Sequence, residues 1–354
     1  MKKSVCIIAI VVCMALLLCG CNFWMDGSRQ SVKKHAQNGY LSDEIVEISG
    51  YAQLRTQMMR MMEAAVENSA FVLPNGNAEE LEEYVRDASA YIKNENAVGA
   101  YAVDEITYEM RTHQGYPMVA VKFKYLRSQS EILRIKQVLT VSDAERLIRS
   151  AVENVDDFLV LRVLEYQQTD FAQMVEDYFH ANPSACMEMP QVITAVYPDS
   201  GDERIVELRF VYQTSRNTLR AMQQTVSQIF DAAKLYINAS DTAAEKYAQL
   251  FGFLMQRYDY TIETSITPSY SLLRHGVGDS RAFADVYAAM CRLSGLPCQV
   301  VSGTRDGQAW FWNVIKLDGV YYYIDLLRCD ETGGFSLKTK ENMNGYVWDY
   351  AEYN

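Results

Sequence analysis

Gly276-Val-Gly-Asp-Ser-Arg-Ala-Phe-Ala-Asp-Val-Tyr-Ala-Ala-Met-Cys-Arg-Leu-Ser-Gly-Leu-Pro-Cys298 reads as a loop, a helix and a strand in quick succession. Asp279 or Ser280 can cap the helix, because either side chain accepts from the free N–H groups of a first turn. Phe283, Val286, Tyr287, Met290 and Leu293 recur at helical spacing and define one apolar face. Gly295 ends the helix and Pro297 prevents its continuation. Val300 and Val301 then open a strand. Further on, Gln308-Ala-Trp-Phe-Trp-Asn-Val-Ile-Lys-Leu-Asp-Gly-Val-Tyr-Tyr-Tyr-Ile-Asp325 reads as a hairpin. Asp318-Gly319 is a strong signal for a two-residue turn with both central residues at positive φ. That turn pairs Leu317 with Val320, and counting outward sets Trp312 opposite Asp325 and Trp310 opposite Leu327. Trp310 and Asp325 are thus expected on one face and within contact.

Together these stretches resemble the bacterial transglutaminase-like domain, a relative of papain-type cysteine proteases. That family leads into its helix with Gly-Val-Cys, continues with Gly-Ile-Pro and a His-Ala-Trp-Asn strand, and ends the hairpin in Val-Asp. Aligned on Gly295, the nucleophile position falls on Ser280. Aligned on Trp312-Asn313, the histidine position falls on Trp310. The aspartate is present as Asp325. Tyr258-Asp-Tyr-Thr, Ser271-Leu-Leu-Arg-His-Gly276 and Gly345-Tyr-Val-Trp-Asp-Tyr350 also follow the family pattern, so the resemblance covers residues 240–354. It implies an α+β fold with a papain-like C-terminal domain at 236–354.

The family's mechanism depends on a cysteine thiolate, stabilised by a helix N-terminus and a nearby imidazolium, with the aspartate orienting the imidazole. A serine hydroxyl at the helix start needs a general base instead. The Trp310 indole has a donor N–H and no basic nitrogen. His275 and Asp279 are close in sequence to Ser280, but the first lies in the preceding loop and the second serves as a cap. The expectation is therefore a pseudoenzyme without a cofactor. Its candidate binding cleft is formed by Ser280, Trp310, Trp312 and Asp325, with a peptide, protein or cell-wall fragment as the ligand. A serine-dependent hydrolase or acyltransferase with another base is the second reading. A competing reading of Ser280 is a plain N-cap hydroxyl, and of the hairpin aromatics, simple packing.

Residues 1–20 have the form of a targeting segment, with Lys2 and Lys3 before the apolar run Val5–Leu18. That run ends Leu18-Cys-Gly-Cys21, which resembles a lipoprotein lipobox, and in that family Cys21 carries the lipid. A secretory signal cleaved elsewhere and a retained anchor are the alternatives. All of these place the protein outside the cytoplasm, and the lipobox makes the membrane a partner. Residues 21–41 are polar and aperiodic, as a tether would be. The net charge is -12, or -14 once Lys2 and Lys3 are removed, which leaves no basic footprint for nucleic acid. Cys186, Cys291, Cys298 and Cys329 match no zinc spacing, so no metal site is expected. Cys291 and Cys298 could bridge, although buried thiols are the simpler state.

Between tether and C-terminal domain the chain repeats. Val119-Ala-Val-Lys-Phe-Lys-Tyr125 matches Val206-Glu-Leu-Arg-Phe-Val-Tyr212, each preceded by a strand and a polar turn. Each is followed by a helical pattern, beginning near Ser130 and near Asn217. Two related α/β modules are expected, at 42–157 and 158–235. Leu54, Met58, Met61 and Met62 form a helical stripe of core type. His113 and His180 lie among polar neighbours without a companion ligand, as surface histidines do.

Overall fold

The computed structural model describes residues 45–256 and 260–353. The targeting segment, the tether, Cys21 and part of the Tyr258 motif lie outside them. The chain divides into two compact units, 1–133 and 134–354.

The first unit holds the first module: β1 (Val46–Glu47), α1 (Tyr51–Glu63), β2 (Asn68–Val72), α2 (Ala78–Asn94), α3 (Ala97–Ala102), β3 (Val103–His113), β4 (Tyr116–Tyr125) and the short α4 (Gln129–Ile132). Its sheet has the order β1-β2-β4-β3, with β1 parallel to β2 and the other neighbours antiparallel. Helix α2 begins with a capping box, in which Asn77 accepts from the Glu80 N–H and Glu80 answers with its carboxylate. The stripe Leu54, Met58, Met61 and Met62 is buried.

The second unit opens with β5 (Lys136–Thr140), α5 (Val141–Glu153), β6 (Phe158–Glu165), α6 (Phe171–Ala181), β7 (Gln191–Tyr197) and β8 (Arg204–Val211). This sheet has the order β5-β6-β8-β7, again with one parallel pair first and antiparallel neighbours after it. The two modules therefore share one β-α-β-α-β-β plan, and the repeat is longer than the matched heptapeptides. The boundary expected at 157/158 is corrected to 133/134, because β5 and α5 complete the second module. The helix expected from Ser130 is only the single turn α4, after which the chain extends into β5.

Helix α7 (Arg216–Tyr236) follows β8 and joins two cores. Its polar side chains bond the second module: Arg216 to Asp156, Arg220 to the Asn154 carbonyl and Gln223 to the Glu153 carbonyl. Its apolar stripe, Leu219, Val226, Phe230 and Ala233, packs with α8 (Ala243–Met255), α9 (Pro268–His275) and α10 (Ser280–Leu293). The expected domain limit at 235/236 is thus no gap, since this helix belongs to both sides.

The last sheet is antiparallel, ordered β11-β10-β9-β12, from β9 (Gln299–Arg305), β10 (Gln308–Leu317), β11 (Val320–Ile324) and β12 (Tyr346–Val347), with α11 (Leu326–Glu331) after β11. Asp318 and Gly319 both have positive φ, 49° and 83°, and Leu317 pairs Val320 as the turn requires. Strand β11 stops at Ile324, so Leu327 is helical and does not pair Trp310. Successive residues of β10 point to opposite faces. Asn313 and Ile315 face the α10 side, whereas Trp312 and Val314 enter a separate aromatic core with Tyr323 and Met343. Gly303 allows the Trp312 ring its place: a Cβ there would lie 2.7 Å from the indole and 2.3 Å from the Val347 carbonyl. No helix among the described residues is long and apolar enough to cross a membrane.

Candidate functional site

Helix α10 starts where the pattern puts it. Asp279 is the N-cap, its carboxylate accepting the Ala282 N–H at 2.9 Å, and Ser280 is the first helical residue. The reading of Ser280 as the cap is therefore corrected. Gly295, at φ 75°, and the Leu296 N–H bonded to the Cys291 carbonyl end the helix. Ser280 is 7 % exposed, and its hydroxyl accepts the Phe311 N–H at 3.3 Å. Among the described residues no imidazole or carboxylate is hydrogen-bonded to it. His275 instead packs edge-on against Tyr270.

Trp310 and Asp325 meet. The indole Nε1 donates to Asp325 Oδ2 at 2.8 Å, and the Tyr346 hydroxyl donates to the same oxygen at 2.6 Å. Arg305 approaches that oxygen to 3.4 Å and also lies over the Trp310 ring. Oδ1 accepts the Arg328 N–H, so the carboxylate caps α11 as well. Asp325 is 5 % exposed, and a carboxylate so buried is tolerated only with such a set of partners. In turn, the carboxylate and burial push the Tyr346 phenol above its ordinary range, burial being the larger cause. An oxygen that already takes three donors is not placed to orient an imidazole.

Of the four residues expected to form one cleft, Ser280, Trp312 and Asp325 border one closed crevice, and Trp310 is not part of its lining. Trp312 is 1 % exposed and points into the aromatic core, edge-on to Tyr346 and Trp348. The crevice lined by Ser280, Phe311, Trp312, Asn313 and Asp325 has no room for a water molecule. Asn313 seals the next turn of α10, donating to the Ala284 carbonyl at 2.9 Å. The triad positions are filled from within the fold.

The other side of the first turns of α10 is open. His180, at the end of α6, is 2.6 Å through Nδ1 from Oδ2 of Asp285, and its side chain is only 21 % exposed. The surface role expected for His180 is thereby corrected. Arg281 Nε lies 3.1 Å from the same His180 nitrogen and 3.8 Å from Asp285. One nitrogen cannot donate and accept at once, and the shorter contact, Nδ1–H to carboxylate, is the hydrogen bond. Burial raises the Asp285 carboxyl above the usual range, while His180 and Arg281 oppose that shift. A third tie, from Arg292 to the Ala181 carbonyl at 2.7 Å, completes the docking of α6 on α10. Beside the pair is a cavity of about 300 Å³, whose walls include Phe179, Met189, Ile266, Pro268 and Val286. The sequence carried one signal for this group: Arg281 and Asp285 are four apart, hence on one face of the helix. Nothing local ties them to a histidine 105 positions away.

All four cysteines of the described residues are buried free thiols. Burial pushes Cys186 up to about 12 and Cys291 well above its ordinary value. No group of histidine, cysteine and acidic side chains among the described residues could hold a metal ion.

Residues 231–332 match the profile of the transglutaminase-like superfamily, and this part of the chain is a transglutaminase-like domain. A search of the curated proteins gave no match. Among solved structures, the chain is similar to a TGase at 11 % identity and a TM-score of 0.27, over 77 % of this chain and 82 % of that one. A candidate protease from Parabacteroides distasonis is similar at 9 % identity and a TM-score of 0.24, over 72 % of this chain and 39 % of that protein. A candidate cysteine protease from Cytophaga hutchinsonii is similar at 11 % identity and a TM-score of 0.25, over 45 % of this chain and 70 % of that one.

Proposed function

We propose that the protein is a non-catalytic binding or scaffold component of the cell envelope, built on a transglutaminase-like domain whose reaction centre has become structural. One observation carries this reading: the Asp325 carboxylate is occupied by Trp310, Tyr346, Arg305 and the Arg328 N–H. The base that would activate Ser280 is replaced by a donor, and the carboxylate that would orient such a base is already engaged. Peptides, proteins or cell-wall fragments are the ligands proposed, met on surfaces other than the closed crevice. The acidic net charge of -12 argues against nucleic acid as a partner. The Leu-Cys-Gly-Cys21 pattern supports an extracytoplasmic protein held at the membrane by lipid on Cys21.

The test is an assay of the full chain, in nanodiscs, for amine incorporation into a glutamine peptide and for peptide and ester hydrolysis. Rates at background, equal to those of Ser280→Ala, are expected. Turnover that Ser280→Ala abolishes would replace this reading by a serine-dependent hydrolase or acyltransferase. For the anchor, Cys21→Ala is expected to leave the membrane fraction or to stall unprocessed. Unchanged fractionation and unchanged mass would exclude lipidation at that residue.

A further inference from the structure

The cavity beside α10 is a second place where the motif helix presents charged side chains, and here they are not used up. Its apolar walls enclose about 300 Å³, at the lower end of small-molecule sites. Its polar end is formed by Arg281, Asp279 and Asp285. The Asp285 side chain is 9 % exposed and bonds His180 through Oδ2 only. Oδ1 makes no protein hydrogen bond among the described residues. Asp279 caps the helix with Oδ1, and its Oδ2 has only the Thr264 hydroxyl, at 3.5 Å. Arg281 Nε lies beside His180 and its guanidinium lies over the Phe311 ring at 4.7 Å, while its two terminal nitrogens have no hydrogen-bond partner among the described residues. Glu188 also lines the cavity, but both its oxygens accept backbone N–H groups, from Gln213 and Thr214.

We infer that this cavity binds a small zwitterion with an apolar body, the chemistry of a free apolar α-amino acid. The terminal nitrogens of Arg281 receive the carboxylate, in the forked geometry that suits a guanidinium. Asp279 and Asp285 receive the ammonium, and Phe179, Met189, Ile266, Pro268 and Val286 enclose the side chain. A simple anion would leave two carboxylates facing it, and a simple cation would face Arg281. Only a molecule carrying both charges at one end matches the donors and acceptors that stand ready. The inference goes beyond the non-catalytic reading and uses none of the triad positions, so either can fail alone.

The experiment is calorimetry on the full chain in nanodiscs, with empty nanodiscs subtracted. The probes are L-phenylalanine, 3-phenylpropanoate (no ammonium) and 2-phenylethylamine (no carboxylate). L-Phenylalanine is expected to bind, and each truncated probe to bind at least roughly tenfold more weakly, the equivalent of one lost charge-assisted contact. Val286→Trp, which fills the cavity, is expected to abolish binding. Arg281→Gln has a half-exposed side chain and does not depend on core repacking. It is expected to weaken L-phenylalanine at least roughly tenfold while 2-phenylethylamine, relieved of the facing guanidinium, binds no more weakly than to the parent. Equal affinity for all three probes would overturn the zwitterion, as would an Arg281→Gln variant that binds like the parent. No heat from any probe up to about 5 mM, beyond the affinity expected of ligands this small, would overturn the site itself.

Discussion

Helix α10 has two flanks that start from the same sequence motif and end in opposite states. On the Ser280 flank, β10 lies so close that a backbone N–H reaches the hydroxyl and no water fits between. On the Arg281 and Asp285 flank, α6 of the second module stands off far enough to leave a cavity. The carboxylates show the difference. Asp325 has every donor it can hold, whereas Asp285 has one strong partner and a free oxygen. A charged group filled from within the fold contributes to stability; one left half-satisfied in a cavity is available to a ligand.

Removing Asp325 should have the largest effect. Asp325→Ala leaves Arg305 with Glu331 as its remaining close carboxylate, unpairs Trp310 and Tyr346 and uncaps α11, and is expected to cost about 3–5 kcal/mol in urea unfolding, as several lost donors to one buried carboxylate together would. A loss below about 1 kcal/mol would show that the filled flank is not structural. Trp310→Phe keeps an aromatic side chain, smaller than the indole, and deletes one donor to a buried carboxylate, for an expected loss of about 1.5–3 kcal/mol.

Acidity sharpens the contrast on the open flank. Burial raises the Asp285 carboxyl, so the folded state holds that proton more tightly than the unfolded chain does. The sign follows: its contribution to stability is complete below the ordinary value of 3.8 and is lost as pH rises through the raised folded value. Asp285→Asn should flatten that part of the stability–pH profile, read from urea midpoints across pH 4 to 7. His180→Ala should steepen it, because the imidazole opposes the shift. Matching profiles in the parent and both variants would show that the pair does not titrate with folding. Thr264, Asp279, Arg281 and Glu176 also face this pair and remain in both variants. Ser280→Ala should change least, within about 1 kcal/mol, since it loses one weak acceptor. A larger loss would mean that the closed crevice depends on the hydroxyl.

The filled flank was legible where its geometry is local. The Asp318-Gly319 turn sets the register of two adjacent strands, and register brings Trp310 to Asp325. The helix start was legible to within one residue, with Asp279 rather than Ser280 as the cap. The crevice's closure was not, because it depends on how near β10 comes to α10, and side-chain period carries no distance. His180 was misread for a related reason: its polar neighbours describe its own helix, while its partner arrives through tertiary packing. The module boundary was misplaced because β5 buries only Val138 and pairs in parallel, with a whole helix in place of a turn signal. A short edge strand of that kind leaves little alternation to read.

Helix α7 bears on the order in which the chain is made. The second module can pair its four strands once residue 211 has left the ribosome, and α7 follows at once. Leu219, Val226, Phe230 and Ala233 then share a core with only Val155, Met187 and Tyr212 of the finished module until α8, α9 and α10 emerge, the last of them ending at Leu293. For that interval of synthesis the nascent protein carries a largely unpaired apolar stripe on an otherwise finished module, the kind of surface that holdase chaperones shield. A message truncated after residue 236 would make the interval permanent and yield a product prone to self-association. The transglutaminase-like domain is, in this respect, the lid that its own predecessor waits for.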